Sequence, residues 1–574
     1  MPAEVRNCQN CKKDFTIEPD DFGFYEKMKV PAPTWCPTCR FQRRMVFRNE
    51  RALFKRTCDA PGHSEEMISM YAPQSGVKVY DYAYWWSDAW DPMSYGRDYD
   101  FSRPFFEQFH ELLRAVPWPA LNVLNNVNSQ YCNFCTDNKN CYLVFGGDFN
   151  EDCAYSTFNF HSKEAFDTYW IDKCELCYEC VDSANNYRVL FSRYAYDCVD
   201  SAFLLDCVGC QNCFGCVGLR KKQYCIFNEQ YSKEEYAEKI AELDLSRFRN
   251  VQRIAKKFYD FQITKPKKYA AITRSVNATG NDIHNAKNCT ACFDIEGDAE
   301  NLRHTYLAGW GLRDAHSTDH AGHGSELVYD SFGVFAGARN VAFSIFSASC
   351  QDCQYSYVCR GSSNLFGCAG VRNKKYCILN KQYTKEEYEA LVPKIIAHMN
   401  EMPYRDTTGK TYTYGEFFPP SFSPFAYNES LANEYFPLSK SEAEVQGLVW
   451  REPAEKSPVV TMRHEDLPDS IDDVTESILK ETISCAHSGD CKEQCTKAFR
   501  IIPAELQLYK RLRLPLPRFC PNCRHYQRFR LRNPFKLYNR SCMKTGCHNE
   551  FEATYAPDRP DIIYCEACYQ NEVA

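Results

Sequence analysis

Between residues 128 and 400 the apolar residues never gather into long blocks. They come in short Cys-, Tyr- and Phe-containing segments such as Asn140-Cys-Tyr-Leu143, Glu151-Asp-Cys-Ala-Tyr155, Glu175-Leu-Cys-Tyr178 and Tyr196-Asp-Cys-Val199. The later half continues with Asn288-Cys-Thr-Ala-Cys-Phe293, Glu300-Asn-Leu-Arg-His304, Glu326-Leu-Val-Tyr329 and Arg339-Asn-Val-Ala-Phe343. The segments recur at roughly 9–12 residues with Asn, Asp, Ser and Gly between them, a rhythm of short strands that must stack to bury anything. The rhythm predicts a parallel, β-helix-like solenoid. The rival is an open antiparallel meander, which the absence of Asn-Gly and Asp-Gly hairpin signals disfavours.

The region is duplicated. Phe214-Gly-Cys-Val-Gly-Leu-Arg220 onward to Tyr236 repeats from Phe366 to Tyr388, with 16 of 23 positions identical. Each copy closes on a capping box, Ser232-x-x-Glu235 and Thr384-x-x-Glu387, which opens a helix. Another helix is expected after Pro104, ahead of Phe-Phe-Glu-Gln-Phe-His-Glu-Leu-Leu113. The expected fold is therefore mainly β: a duplicated central solenoid with a few capping helices, flanked by a zinc-ribbon module at each end. The boundaries are 1–84 for the first ribbon and 85–127 for an aromatic connector containing Trp85-Trp-Ser-Asp-Ala-Trp-Asp91. Residues 128–263 and 264–400 are the solenoid repeats, 401–484 a Pro/Phe-rich and then acidic linker, and 485–574 the second ribbon.

The ribbons follow from a second internal repeat. Cys11–Cys58 aligns with Cys495–Cys542 without a gap, with 18 of 48 positions identical. Paired cysteines at knuckle spacing suit tetrahedral Zn2+. Cys8, Cys11, Cys36 and Cys39 make one quartet, Cys491, Cys495, Cys520 and Cys523 a second, and Cys542, Cys547, Cys565 and Cys568 a third. About three zinc ions per chain follow. In the first module Cys58 and His63 stand where Cys542 and Cys547 do, but Asp81 and Tyr84 replace Cys565 and Cys568, so that site reads as degenerate, with a weaker Cys58/His63/Asp81 group as the alternative. Cys207, Cys210, Cys213 and Cys216 admit three readings: a ladder of buried thiols, zinc, or an iron–sulfur cluster. The ladder is favoured because the second copy carries Ser362 and Leu365 at matching places, and Cys132/Cys135, Cys174/Cys177/Cys180, Cys289/Cys292 and Cys350/Cys353 read the same way.

Charge is uneven. Residues 1–58 hold 12 Lys/Arg against 7 Asp/Glu, and residues 491–548 hold 14 against 2, in a chain of net charge -7. Arg44, Arg48 and Arg56 recur as Arg528, Arg532 and Arg540, on one helix face and interleaved with aromatics. Such rows suit nucleic acid or a ribonucleoprotein. They equally suit the acidic middle of the same chain, or a protein partner. His316, His320 and His323, with Asp314 and Asp319, read as a polar turn with metal or acid–base chemistry as the alternative. The dense Asp88, Asp91, Asp98 and Asp100 leave a carbohydrate-active solenoid as a third function class, and no catalytic residue is assigned. No segment suits a bilayer and no secretory leader is seen, so the expected compartment is the cytoplasm with reduced thiols. Oligomeric state is not legible.

Cys36-Pro-Thr-Cys-Arg40 with Arg44 and Arg48-Asn-Glu50, Tyr80-Asp with Trp85-Trp-Ser-Asp88, Lys139-Asn-Cys-Tyr142, Lys375-Tyr-Cys-Ile-Leu-Asn-Lys-Gln-Tyr383 and Tyr414-Gly-Glu-Phe-Phe-Pro419 are distinctive blocks. Across them the chain resembles a group of large, Cys-rich zinc-ribbon proteins from uncultivated small-genome bacteria. The resemblance implies zinc and a bacterial cytoplasm, and carries no mechanism.

Overall fold

The computed structural model describes residues 2–452 and 458–573; residues 453–457, inside the stretch read as a linker, lie outside the described residues. The chain is mainly β, as expected, and divides into two compact units that interleave in sequence. One holds residues up to 121, 270–452 and 535–537. The other holds 122–269, 458–534 and 538–573. The first ribbon thus shares a unit with the second coil stack, and the second ribbon with the first stack.

In the unit built on 122–269 the strands pair in parallel at a spacing of one coil. Val181 is opposite Arg193 and Arg193 opposite Leu205, while Val199 is opposite Gln211 and Gln211 opposite Gln223. Each coil is therefore 12 residues long. The path turns every third residue through the left-handed region, as at Leu176, Glu179, Asp182, Asn185 and Arg188 (φ between 48 and 56°). Four turns per coil leave four short sides. The residue between two turns points inward: Cys174, Cys177, Cys180, Ser183, Asn186, Val189, Ser192 and Ala195 are all buried. The interior positions are mostly small, with Ile171 and Leu204 the larger members of the same cluster, and this is the physical reason for so many cysteines. Left-handed backbone disfavours side chains with a Cβ, and Asn and Asp tolerate it best. Hence the polar residues between the apolar segments are corner residues.

The second stack is wider. Glu300, Arg313, Glu326 and Arg339 are successive parallel partners 13 residues apart, and the spacing returns to 12 at Gln351, Ser363 and Lys375. The extra residue enters at one corner, where Gly311, Gly324 and Gly337 take φ of 81, 74 and 69°. Both stacks end as the duplicated blocks predict, on capping boxes that open the helices Lys233–Leu243 and Lys385–Glu401. The helix Phe105–Ala115 packs its Phe105 ring 5.2 Å from Tyr355 and 5.3 Å from Phe366 on the second stack. The stretch read as a linker is packed: Phe417 and Phe418 are buried in one unit, and Ile471, Val474, Ile478 and Ile483 in the other.

Candidate metal centres

Three cysteine quartets converge, each with its sulfurs within 4.8 Å of one another. Cys8, Cys11, Cys36 and Cys39 form the first, Cys542, Cys547, Cys565 and Cys568 the third. The middle quartet differs from the sequence reading. Cys485, not Cys491, joins Cys495, Cys520 and Cys523. Cys491 sits beside this group, its sulfur 3.8 Å from that of Cys523, in a second cluster with His487 and Glu493. The reason is local. Strand Ile483–Ser484 pairs with Ala498–Phe499, as Glu4–Asn7 pairs with Asp14–Ile17 in the first module, and the cysteine that follows the strand is Cys8 in one case and Cys485 in the other. The sequence comparison missed it because seven additional residues separate Cys485 from Cys495.

The distances fit zinc. A Zn–S bond of about 2.3 Å puts tetrahedral sulfurs about 3.8 Å apart. Cys11 and Cys36 are 3.8 Å apart, Cys485 and Cys523 3.8 Å, Cys495 and Cys520 3.9 Å, and Cys547 and Cys565 3.9 Å. The cysteines are all free thiols, so the pairs are not disulfides. Backbone amides support the sulfurs: Cys36 N–H donates to Cys8 Sγ at 3.2 Å, Cys520 N–H to Cys485 Sγ at 3.2 Å, and Cys565 N–H to Cys542 Sγ at 3.3 Å. Cys36 and Cys520 each precede a helix that starts with proline, Pro37–Met45 and Pro521–Phe529, so the positive helix ends lie toward the thiolates.

The cysteines inside the coils are placed otherwise. Cys207, Cys210, Cys213 and Cys216 occupy successive sides of one coil and, among the described residues, form no ligand group. Each Sγ donates to carbonyl oxygens instead: Cys207 to Cys216 at 3.5 Å, Cys210 to Leu219 at 3.5 Å, Cys213 to Lys222 at 3.5 Å and Cys216 to Cys225 at 3.5 Å. Burial pushes the Cys207 and Cys177 thiols well above the usual range, which keeps the proton they donate. The x2 spacing that reads as a metal knuckle is here the three-residue step of the coil. Cys58 and His63 come together with Glu65 and Asp81 within 4.8 Å.

The arginine rows are buried against carboxylates of their own unit. Arg44 donates to Asp319 and, at 2.5 Å, to Asp330; Arg43 reaches Asp330 at 3.0 Å and Glu416 at 2.8 Å. Arg48 pairs with Glu50. In the other unit Arg524 and Arg528 share Asp167 at 2.5 and 2.8 Å, Arg528 also reaches Glu179 at 3.3 Å, and Arg532 pairs with Asp182 at 2.8 Å. Asp167 and Glu179 are corner residues one coil apart, so the ribbon helix straddles neighbouring coils. Arg56 pairs with Asp59 at 2.6 Å, and Arg540 donates to the carbonyls of Tyr555 and Ala556 at 2.9 Å. These eight guanidinium groups all have protein acceptors. Burial raises the Asp319 carboxyl to about 6 even with Arg44 beside it.

The histidine run is an exposed turn only at His323, which lies in a bend; His316 is on strand Arg313–Asp319 and His320 is buried. His316 stacks on Phe24 at 3.7 Å and is held by burial to about 3, while His323 stacks on Trp310 at 5.6 Å. Asp319 is the partner of Arg44 rather than of these rings. Of the connector acids, Asp91 caps a short helix through Met93 N–H at 2.9 Å, Asp98 pairs with Lys381 at 2.5 Å, and Asp100 accepts from Ser102 N–H at 2.8 Å, which are turn and surface roles.

No family model matches the chain, and no curated protein matches it. Among solved structures, one described as a "putative acetyltransferase" from Desulfovibrio desulfuricans G20 is similar over 51% of this chain and 75% of that chain, at 9% identity. Its TM-score of 0.11 carries no argument. No helix of the described residues is long and apolar enough to cross a membrane. What the geometry defines by itself is a mainly β chain with three metal-competent cysteine quartets.

Proposed function

We propose that this chain is a zinc-bound scaffold made of two β-solenoid stacks, each clamped by a zinc-ribbon module, and that it works by presenting the outer faces of its coils to a protein partner. The observation that carries the reading is the repeated clamp. Arg44 on Asp319 and Asp330, and Arg528 on Asp167 and Glu179, are equivalent positions of the duplicated ribbon, each seated on a pair of carboxylates in its own unit. Zinc shapes the ribbon, the ribbon helix presents the arginines, and the arginines cover one side of the coils. Regular polar rows suited to a repeating contact also run along the coils, one of them ending at Asp314, which takes Lys27 of the ribbon at 2.7 Å. Asn277, Asn288, Asn301 and Asp314 are linked at 3.2, 3.0 and 2.9 Å, and Asn128, Asn140 and Asp152 at 2.9 and 3.1 Å.

Nucleic-acid or ribonucleoprotein binding is the second reading, and the basic excess of the ribbons favours it. It would need Arg44, Arg48, Arg528 and Arg532 to leave buried carboxylates. Fluorescence anisotropy of labelled RNA and single-stranded DNA, titrated with salt, separates the two. The scaffold reading predicts no binding that depends on Arg528 and Arg532, and predicts that Arg528→Gln with Arg532→Gln loosens the ribbon. If that double variant loses salt-dependent RNA binding while its thermal stability is unchanged, the clamp reading fails.

A further inference from the structure

We infer that Cys58, His63 and Asp81, with Glu65, form a fourth zinc site in the first ribbon module. The inference stands apart from the scaffold role, because it concerns the chemistry of one knuckle and not what the coils bind. The ligand atoms of the four residues lie within 4.8 Å of one another. Asp81 Oδ2 is 3.6 Å from Cys58 Sγ and 3.5 Å from His63 Nδ1, which in turn is 2.5 Å from Glu65 Oε1.

The independent observation is that the backbone here is the backbone of a zinc knuckle. The strands Phe54–Thr57 and Glu66–Ser69 pair as Tyr538–Ser541 and Glu550–Ala553 do in the third quartet. Cys58 N–H bonds to the Glu65 carbonyl at 3.1 Å as Cys542 N–H bonds to that of Asn549 at 2.8 Å, and His63 N–H bonds to Ala60 as Cys547 N–H bonds to Lys544, both at 3.0 Å. Most tellingly, Asp81 N–H donates to Cys58 Sγ at 3.3 Å. That is the amide-to-sulfur bond made at all three cysteine quartets by the residue in the third ligand position. The duplication has kept the frame of the site and exchanged its donors. His63 replaces Cys547, Asp81 replaces Cys565, and Glu65 approaches from the position of Asn549. Tyr84 fills the place of Cys568, its ring 4.9 Å from His63.

One thiolate, one imidazole and carboxylate oxygen are all zinc donors, and a site with three firm protein ligands keeps room for an exchangeable fourth. His63 and Asp81 are partly exposed (side chains 32 and 23%), so the ion would face solvent. The site should therefore hold zinc more weakly than the quartets and give it up first.

The test is native mass spectrometry of the full-length chain equilibrated with excess Zn2+, followed by competition with a chromogenic zinc chelator. The wild type should carry four zinc ions, one of which leaves ahead of the others; His63→Ala should carry three. Asp81→Cys combined with Tyr84→Cys, which completes a set of three cysteines and His63, should make the early-leaving ion much more resistant. A wild type that holds three ions in excess zinc overturns the inference, as does a His63→Ala chain that still holds four. If His63→Ala also lost the resistant ions it would have misfolded, and the double cysteine variant then decides: no gain in retention overturns the site. Fewer than three resistant ions in the wild type would count against the quartets instead, while the difference between wild type and His63→Ala would still read the fourth site.

Discussion

Asp167→Asn is the sharpest perturbation of the clamp between the second ribbon and its coils. The Asp167 carboxylate is fully buried and accepts from Arg524 at 2.5 Å and Arg528 at 2.8 Å, whose side chains are 3 and 1% exposed. Asparagine keeps the size of the residue and tolerates its left-handed backbone, φ 55°, so only the charge is removed. Two buried guanidinium groups then share one amide oxygen and keep one carboxylate each, Glu505 at 3.0 Å from Arg524 and Glu179 at 3.3 Å from Arg528. Removing one partner of a buried ion pair costs about 3–5 kcal/mol, and the remaining acceptors place the loss near the lower end, about 3 kcal/mol. The natural control is Glu164, on the same coil stack, which accepts two bonds of 2.7 Å from Arg511 with both side chains partly exposed (26 and 49%). Glu164→Gln should cost less than about 1 kcal/mol. Hydrogen exchange of helix Pro521–Phe529 reads the difference directly. A loss of about 3 kcal/mol in local opening free energy speeds its amides by more than about 100-fold, against less than about 5-fold for Glu164→Gln. Equal effects from the two substitutions, or no change in that helix for Asp167→Asn, would refute the clamp.

Other outcomes follow from the same geometry. Cys485→Ser should remove one tightly held zinc from the chain, while Cys491→Ser should leave the metal content intact; elemental analysis of the purified variants decides, and the reverse result would restore the Cys491 reading. Cys213→Ala should change no metal content and lower stability by about 1–2 kcal/mol through a small void in the coil, since its sulfur serves packing and a carbonyl bond. Asp319 gives a pH signature. Its carboxyl is raised to about 6 against an ordinary value of 3.8, so the folded chain holds that proton more tightly than the unfolded chain. Its contribution to stability is complete below about pH 4 and is lost as pH rises through about 6. The melting temperature of the wild type relative to Asp319→Asn should therefore fall between about pH 4 and pH 7; a difference that is flat or rises would contradict the burial of that carboxyl.

What the sequence revealed depends on how local each cause is. Cys36-x2-Cys39 and Cys520-x2-Cys523 are legible because a knuckle is built within a few residues. Cys485 was not, because nine residues separate it from Cys495 while Cys491 offers a tidier spacing; the strand pairing Ile483–Ser484 with Ala498–Phe499 is what brings it in. The Arg44/Arg48/Arg56 and Arg528/Arg532/Arg540 rows are not single helix faces: the helices end at Met45 and Phe529, so of these six only Arg44 and Arg528 are helical, and Arg56 and Arg540 lie on strands. Their partners were not legible, since Asp319 and Asp167 lie hundreds of residues away and the ribbon docks on the stack more distant in sequence. The three-residue rhythm stood in plain view at Cys207, Cys210, Cys213 and Cys216, but a coil step and a zinc knuckle share that spacing. Only the carbonyl partners of those sulfurs separate the two. Ser362 and Leu365, at the matching places in the second stack, were the sequence signal that pointed to packing.

The most direct test of the account is the number of zinc ions that stay with the full-length chain through purification and mild chelator treatment, measured by elemental analysis against protein concentration. Three cysteine quartets predict three resistant zinc ions, with little iron and no disulfide in their place. One zinc or none, or a stoichiometric iron content with visible absorbance, would contradict it.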